Sequence, residues 1–295
     1  MSSHQTRLRL ESLESRQMMA GDVSAFAISR ILYVNGDVLS NGVALVNDGN
    51  GNINVVGLAQ GGEATTINDG ASQVFTKIKD VVITMNKGDD AIVVSDLFIN
   101  GNLYIQGAKD NDVVALGQFD DTDSLIDDAV DSLLGALTVK KSVIIDTSDG
   151  DDTVLARDTT VTKSIVVSTG VGNDTVRFDS QDNPGDPTYV PGLTAIKGVT
   201  ISTATGNDAV LLDRVTTEKA LTISTSNDND DVTISRVSAK SLNAPLGSGD
   251  DDISVEDTTI LKTATFNGDT GANTYTDLGG STFGKLVRKN FQNLV

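Results

Sequence analysis

The sequence predicts an all-β protein: a right-handed parallel β-helix (a solenoid) with rungs of about 22 residues, capped at both ends. One Asp/Asn turn recurs at nearly constant spacing, and apolar residues alternate at fixed distances on either side of it. Glycine is abundant at 28 residues, proline is scarce at four, and cysteine and tryptophan are absent. This composition is typical of a chain with many strands and turns.

The repeated turn has roughly the form [GD]-[DN]-[DN]-x-[VI] and occurs eight times. Successive turns are 22, 40, 22, 34, 22, 21 and 22 residues apart, and each long gap equals one repeat plus an inserted segment. The third residue of the turn is Asp90, Asp112, Asp152, Asp174, Asp208, Asp230, Asp251 or Asn273.

Apolar residues keep a constant phase relative to this turn. The positions two and four residues after it, and nine and seven before it, are apolar in 31 of 32 cases. Period-two alternation gives each strand one buried face, and strands of constant phase bury that face by stacking on their equivalents. We expect the coil to be right-handed, because connections between neighbouring parallel strands are almost always right-handed. An antiparallel sandwich with hairpin turns is the alternative, although hairpins require no fixed period.

The phase of the repeat divides the chain into four parts. The N-terminal segment is charged and lacks a packing pattern, and the next segment contains short alternating strands out of phase with the repeat. The parts are an export leader without structure (1–22), an N-terminal β cap (23–80), the parallel β-helix (81–280) and a C-terminal cap (281–295).

Two insertions interrupt the predicted coil. Residues 117–140 carry apolar positions at helical spacing after an acidic start, which predicts a short helix or a folded loop. Residues 180–197 hold three of the four prolines and predict a loop. The C-terminal cap offers Phe283, Leu286 and Phe291 as a lid over the open end of the coil.

The charge and composition exclude several classes of function. The formal net charge is -19, with 41 acidic and 22 basic residues, so we expect no nucleic-acid partner. No apolar run approaches the roughly 20 residues of a transmembrane helix. The single histidine, His4, lies in the leader, so a processed protein lacks a Ser-His-Asp triad, a His-ligated zinc and a histidine base.

The acidic turns would stack about 4.8 Å apart and repel one another, and a calcium ion would relieve the repulsion. The turn resembles the calcium-binding nonapeptide of β-roll proteins, but it recurs at a much longer period and lacks the opposing half-turn. The alternative is that Asp and Asn simply suit turns. The candidate calcium ligands are Asp89, Asp90, Asp151, Asp152, Asp174, Asp208, Asp230, Asp250 and Asp251.

A lysine recurs eleven residues before the turn in seven of eight rungs. This lysine column could be a solvated edge that prevents sideways sheet pairing. The alternative is a cationic stripe for an anionic polymer such as an acidic or sulfated glycan. Its members are Lys79, Lys141, Lys163, Lys197, Lys219, Lys240 and Lys262.

No catalytic residues are predicted. Every carboxylate cluster follows from the repeat itself, whereas an active site should break the periodicity, which only the two insertions do. A polysaccharide-active β-helix enzyme would therefore need a cleft beside residues 117–140 or 180–197.

The leader contains LRLESLESRQMMAGD, in which Leu13, Glu14, Arg16, Met18, Met19 and Ala20 form an LExRxMMA-like pattern. This pattern resembles the N-terminal signature of exported planctomycete-type bacterial proteins, and the GDDxV and GNDxV repeats resemble their bodies. The resemblance implies a solenoid that is secreted or held at the bacterial cell surface, and it implies no reaction.

Together these observations predict a non-enzymatic structural or adhesion-type protein, a monomer or weak oligomer. Its expected partner is an extracellular glycan or a surface protein. It needs no cofactor other than possible calcium, and calcium binding or glycan cleavage are the alternative functions.

Overall fold

The computed structural model describes residues 21–60, 63–118, 135–179 and 192–295, and none of these residues is helical. Residues 1–20 of the predicted leader therefore lie outside the described residues. Before the first repeated turn the strands are β1 (Asp22–Ile28), β2 (Ile31–Asn35), β3 (Gly42–Asn47), β4 (Ile53–Gln60), β5 (Glu63–Ala64), β6 (Thr66–Ile67), β7 (Ser72–Phe75) and β8 (Asp80–Thr84).

The repeated body is formed almost entirely of short strands. They are β9 (Ala91–Val94), β10 (Leu97–Ile99), β11 (Leu103–Lys109), β12 (Val113–Gly117), β13 (Leu137–Val139), β14 (Val143–Asp149), β15 (Thr153–Arg157), β16 (Thr159–Val161), β17 (Ser164–Ser168), β18 (Thr175–Phe178), β19 (Leu193–Ala195), β20 (Gly198–Ser202), β21 (Ala209–Asp213), β22 (Val215–Thr216), β23 (Ala220–Ser224), β24 (Ser226–Asn227), β25 (Asp231–Ser235), β26 (Ser238–Ala239), β27 (Ser241–Pro245), β28 (Gly247–Ser248) and β29 (Asp252–Glu256). The chain closes with β30 (Thr259–Asn267), β31 (Thr274–Gly279), β32 (Thr282–Lys289) and β33 (Asn293–Leu294).

A rung of the body contains three strands, and two neighbouring rungs have an additional two-residue strand, β24 or β28, before the turn. The first precedes the Asp/Asn turn, the second follows it, and a short third strand leads into the lysine turn; β14, β15 and β16 form one such rung. Each of them pairs in parallel with its counterpart in the next rung, β14 with β17, β15 with β18 and β16 with β19. The predicted all-β parallel β-helix is therefore confirmed.

The register between rungs places equivalent apolar residues side by side. Along the first strands Val143 pairs with Ile165, which in turn pairs with Val199, without any shift. Along the second strands Val154 and Val176 pair in the same way. These side chains are almost fully buried and belong to one continuous core that extends from Val23 to Tyr275. The apolar phase of the sequence thus corresponds to the interior of the coil.

The short third strand is a feature that the sequence analysis missed. Leu97 and Ile99 of β10 and Leu137 and Val139 of β13 are buried. The signal was present in the sequence, because Leu97 and Ile99 follow the turn residue Asp90 by seven and nine positions. The corner before this strand has a left-handed backbone, with φ between 41° and 55° at Asp96, Asp158, Arg214, Arg236 and Asp257.

The coil begins inside the segment expected to be a cap. Strand β2 pairs in parallel with β8, and β3 pairs in parallel with β9, so both are coil strands. Strand β1 then lies antiparallel on β2, and β4 lies antiparallel on β3. These antiparallel strands cover the first parallel edge and end the stacking at this side.

At the other side of the coil, β30 pairs with β32 and β31 pairs with β33, again in parallel. Phe283, Leu286 and Phe291 pack against the core, as expected for a lid. The ring of Phe291 lies 5.8 Å from that of Tyr275. Asp277, the one polar residue in the apolar register, is exposed.

Both insertions leave the coil at the same corner, between a second and a third strand. The first separates β12 from β13, and the second separates β18 from β19. Strands β13 and β19 belong to the coil, so the ranges 117–140 and 180–197 include coil residues. The predicted helix or folded loop, at residues 119–134, and most of the predicted proline loop, at 180–191, lie outside the described residues.

Candidate functional site

The third residues of the turns form a buried column, which we call the inner column. In each pair of neighbouring rungs, the side-chain Oδ1 of the later residue accepts the backbone N–H of the earlier one, at 2.6 to 3.1 Å. The inner column consists of Asn41, Asp90, Asp112, Asp152, Asp174, Asp208, Asp230, Asp251 and Asn273. It therefore contains one more member, Asn41, than the sequence analysis found.

The residues directly before the inner column form an exposed outer column. Here the side-chain Oδ1 accepts the backbone N–H of the residue one rung later, at 2.7 to 3.0 Å. The outer column consists of Asp89, Asn111, Asp151, Asn173, Asn207, Asn229 and Asp250. Each pair of rungs is thus joined by two side-chain hydrogen bonds that run in opposite directions, one buried and one exposed.

The second carboxylate oxygen of the inner column has a different environment. In one rung Thr169, five residues before the turn residue, donates its hydroxyl to Oδ2 of Asp174 at 2.5 Å. Met85 and Gly107 take the equivalent place before Asp90 and Asp112, and they offer no hydroxyl. The Oδ2 atoms of Asp90 and Asp112 are buried without a hydrogen-bond partner, and so are those of Asp152, Asp208, Asp230 and Asp251. A threonine at the equivalent place, as before Asp152, Asp208 and Asp230, therefore does not by itself supply the partner.

Burial changes the ionisation of this column. Removal from water, together with repulsion from the neighbouring carboxyls Asp90 and Asp152, raises the pKa of Asp112 to about 8. The same burial raises the pKa of Asp90 and Asp230 to about 7. Asp112 therefore favours its protonated form at neutral pH, and Asp90 and Asp230 are partly protonated there, which lowers the repulsion expected from a stack of carboxylates.

The nine predicted calcium ligands are divided between the two columns. Six are buried inner-column residues, and three, Asp89, Asp151 and Asp250, are exposed outer-column residues separated from one another by asparagine rungs. Within the described ranges no group of three or more His, Cys, Asp or Glu side chains is arranged to hold a metal ion. Calcium binding stays a prediction, and the alternative role in turn formation now has a defined hydrogen-bonding pattern.

The lysine column is brought together as the sequence predicts. The backbone N–H of Lys163 donates to the carbonyl of Lys141, that of Lys197 to Lys163, and that of Lys262 to Lys240. Lys163, Lys197, Lys219 and Lys262 are exposed. Lys79 lies 3.5 Å from Asp80, and the other six have no carboxylate within ion-pair distance among the residues that the structure describes. The positive charge of the lysine column is thus largely unpaired with the acidic residues that the structure describes.

Two ion pairs lie at the corner between second and third strands. Arg236 forms a two-bonded pair with Asp213 of the previous rung at 2.7 Å. Arg157 and Asp179 form a second inter-rung pair at 2.7 Å, and both side chains are buried. Arg177 also contacts Asp179. The buried Arg157–Asp179 pair lies beside both insertions, and its residues stand one 22-residue period apart, five positions after Asp152 and Asp174.

The leader and the coil together define an exported protein with a parallel β-helix body. Residues 4–23 match a family model described as Planctomycete extracellular, which confirms the resemblance seen in the leader and indicates an extracellular protein. Comparisons with curated proteins and with solved structures give no match to this chain. The described residues include no helix long and apolar enough to cross a membrane.

Proposed function

We propose that this extracellular protein is a non-enzymatic structural or adhesion-type β-helix, secreted or surface-held, whose lysine column binds an anionic glycan. The observation that carries the proposal is the alignment of the column. Backbone hydrogen bonds join Lys141, Lys163 and Lys197 in series, and likewise Lys219, Lys240 and Lys262, so within each series the lysine positions recur at about the 4.8 Å rung spacing along one edge. A linear polyanion can contact several of them at once, and simultaneous contacts raise the apparent affinity.

The charge balance supports the same proposal. The protein carries a net charge of -19, yet this edge concentrates seven of its 22 basic residues. Only Lys79 among them has an ion-pair partner within 4 Å in the described structure. Keeping like charges at rung spacing costs free energy, and an anionic ligand would lower that cost.

Charge-removing variants test the lysine column directly. We expect Lys163→Gln/Lys219→Gln/Lys262→Gln to bind a long sulfated polysaccharide at least about tenfold more weakly than the unchanged chain at low salt, because three of the stacked cations are lost. Affinity chromatography and calorimetry at several salt concentrations measure the effect.

The matched control is Lys87→Gln/Lys285→Gln/Lys289→Gln, which removes the same charge from exposed lysines outside the column. This control should bind almost as tightly as the unchanged chain. Equal losses in both triple variants would show that net charge alone governs binding and would contradict the proposal.

A further inference from the structure

A basic cleft lies at the N-terminal end of the lysine column. It has a volume of about 210 Å³ and is formed by four segments that are distant in sequence. The segments are the β1–β2 turn, the start of β4, the stretch between β7 and β8, and strand β10 with the residue after it. Its principal side chains are Arg30, Phe75, Lys77, Lys79, Phe98 and Asn100.

The cations of this cleft are held in place by the backbone. Nε of Arg30 donates to the carbonyl of Lys77 at 3.3 Å, and the N–H of Lys79 donates to the carbonyl of Arg30 at 2.7 Å. Arg30 and Lys77 both have a left-handed backbone, with φ of 68° and 58°. The two tight turns thus bring three cationic side chains to one place.

These charges are not neutralised within the cleft. Lys79 contacts Asp80, but Arg30 and Lys77 have no carboxylate within ion-pair distance among the described residues. None of the residues that line the cleft is acidic. In a protein with a net charge of -19 such a pocket attracts an anion.

The cleft also offers apolar surface. Phe98 remains 55% exposed, with the Lys140 ammonium 5.1 Å from the centre of its ring. Phe75 and Ile53 are buried at the wall. An exposed ring beside fixed cations suits a ligand with an apolar face and an acidic group. The volume is below the roughly 300 Å³ of drug-sized ligand sites, so one sugar unit is the appropriate scale.

We propose that this cleft is a binding site for a single acidic sugar unit, carboxylated or sulfated, at the end of a glycan chain. Arg30 and Lys77 bind the acidic group, Phe98 contacts the sugar ring, and Asn100 is available as a hydrogen-bonding side chain. The inference rests on the proposed glycan binding and names a distinct subsite for it, from which the lysine column continues along the coil.

Calorimetric titration of the full chain tests the site with a sulfated uronate disaccharide. The uncharged disaccharide cellobiose and sodium sulfate serve as comparison ligands. We expect binding of the acidic disaccharide, which weakens as salt is added, and much weaker binding of both comparison ligands. Absent binding, or equal binding of cellobiose, would overturn the proposal, and equal binding of sulfate would show that the sugar ring plays no part.

The variant Arg30→Asn/Lys77→Asn removes both uncompensated cations, and asparagine tolerates the left-handed backbone at these positions. It should bind the acidic disaccharide at least about tenfold more weakly while its unfolding temperature is unchanged. Phe98→Leu keeps every cation and should also weaken binding. Unaltered affinity in both variants would refute the site.

The lysine-column variant Lys163→Gln/Lys219→Gln/Lys262→Gln separates this inference from the proposed function. It should bind the disaccharide normally, because its substitutions lie outside the cleft. If that variant retains full polymer affinity while the Arg30→Asn/Lys77→Asn variant loses the disaccharide, the column proposal fails and the cleft stands.

Discussion

At the scale of single residues, the inner column explains why the turn uses only Asp or Asn. Both side chains present an oxygen that accepts the backbone N–H of the previous rung, and the column includes Asn41 and Asn273 as well as seven aspartates. At Asn273 the amide Nδ2 also donates to the carbonyl of Gly268, five residues earlier, at 2.7 Å. Asp112 also has a glycine, Gly107, five residues earlier in the chain, so an asparagine at position 112 would have the same neighbour in sequence as Asn273.

We therefore predict that Asp112→Asn preserves the fold and increases stability at alkaline pH. The amide keeps the acceptor for the Asp90 N–H and cannot ionise, whereas burial of the unchanged carboxyl raises its pKa to about 8. The gain in unfolding free energy should be on the order of 1 kcal/mol or more at pH 9 and small at pH 5. Urea unfolding at the two pH values measures it.

Two variants control this experiment. Asp112→Leu leaves the buried Asp90 N–H without its acceptor and should lose about 1–3 kcal/mol at both pH values. Asp151→Asn changes an exposed outer-column carboxylate and should have little effect. A loss of stability in Asp112→Asn at both pH values would contradict the assignment of Asp112 as a protonated acid.

At the scale of elements, the turns act as connectors between rungs, and their hydrogen bonds give the acidic motif a structural role. The sequence left calcium ligation and turn formation open. In the outer column the carboxylates of Asp89 and Asp151 are separated by Asn111, and in the inner column each Oδ1 already accepts a backbone N–H. Calcium needs 6–8 oxygen ligands, and this arrangement leaves few that are accessible.

We accordingly predict that the unfolding curves in millimolar calcium and in chelator superimpose. Circular dichroism of residues 21–295 measures the two curves, with magnesium as the control cation. Calcium at 100 times its dissociation constant would add roughly 2.7 kcal/mol and raise the unfolding temperature by a few degrees. A rise of that size with calcium and not with magnesium would establish the acidic turns as ligands.

At the scale of the whole molecule, the column makes stability depend on pH in an unusual direction. Burial raises the pKa of Asp90 and Asp230 to about 7 and that of Asp152 and Asp208 to about 6, above the ordinary value of 3.8. The folded chain then retains protons that the unfolded chain releases, so stability falls as pH rises. The increasing negative charge of the protein acts in the same direction.

We predict that the unfolding temperature is highest near pH 4–5, declines up to about pH 8 and is then nearly constant. Hydrogen bonds from Asn52 and Asn50 lower the pKa of Asp48 to about 2. The stability that the ionised Asp48 contributes is lost only as the pH falls below about 4. Thermal scans at unit pH intervals provide the measurement. A stability maximum at pH 7–8 would show that the inner column is ionised in the folded state.

Much of the fold was predictable, because stacking of like apolar residues imposes a constant phase that is visible in the chain itself. The pairs Val81 and Ile83, and Ile92 and Val94, could be placed on buried faces from spacing alone. The third strand was equally readable from Leu97 and Ile99 and was missed. The rung at Asn41 was not found, because the antiparallel strands β1 and β4 interrupt the periodic pattern around it.

The period, the buried faces, the stack of acidic turns, the lysine column and the export signature could all be read from the sequence, because each is local or strictly repetitive. The three-dimensional structure separates the acidic turns into two columns and shows which atoms they use, because opposite hydrogen-bond directions follow from backbone orientation in neighbouring rungs. It alone joined Arg157 to Asp179, and it alone brought Arg30 and Lys77 beside Phe98. Arg157 and Asp179 occupy equivalent positions one period apart, but no other two consecutive rungs carry opposite charges there. The cleft joins Phe98 to turns that precede the first repeated turn, where no period relates one residue to another.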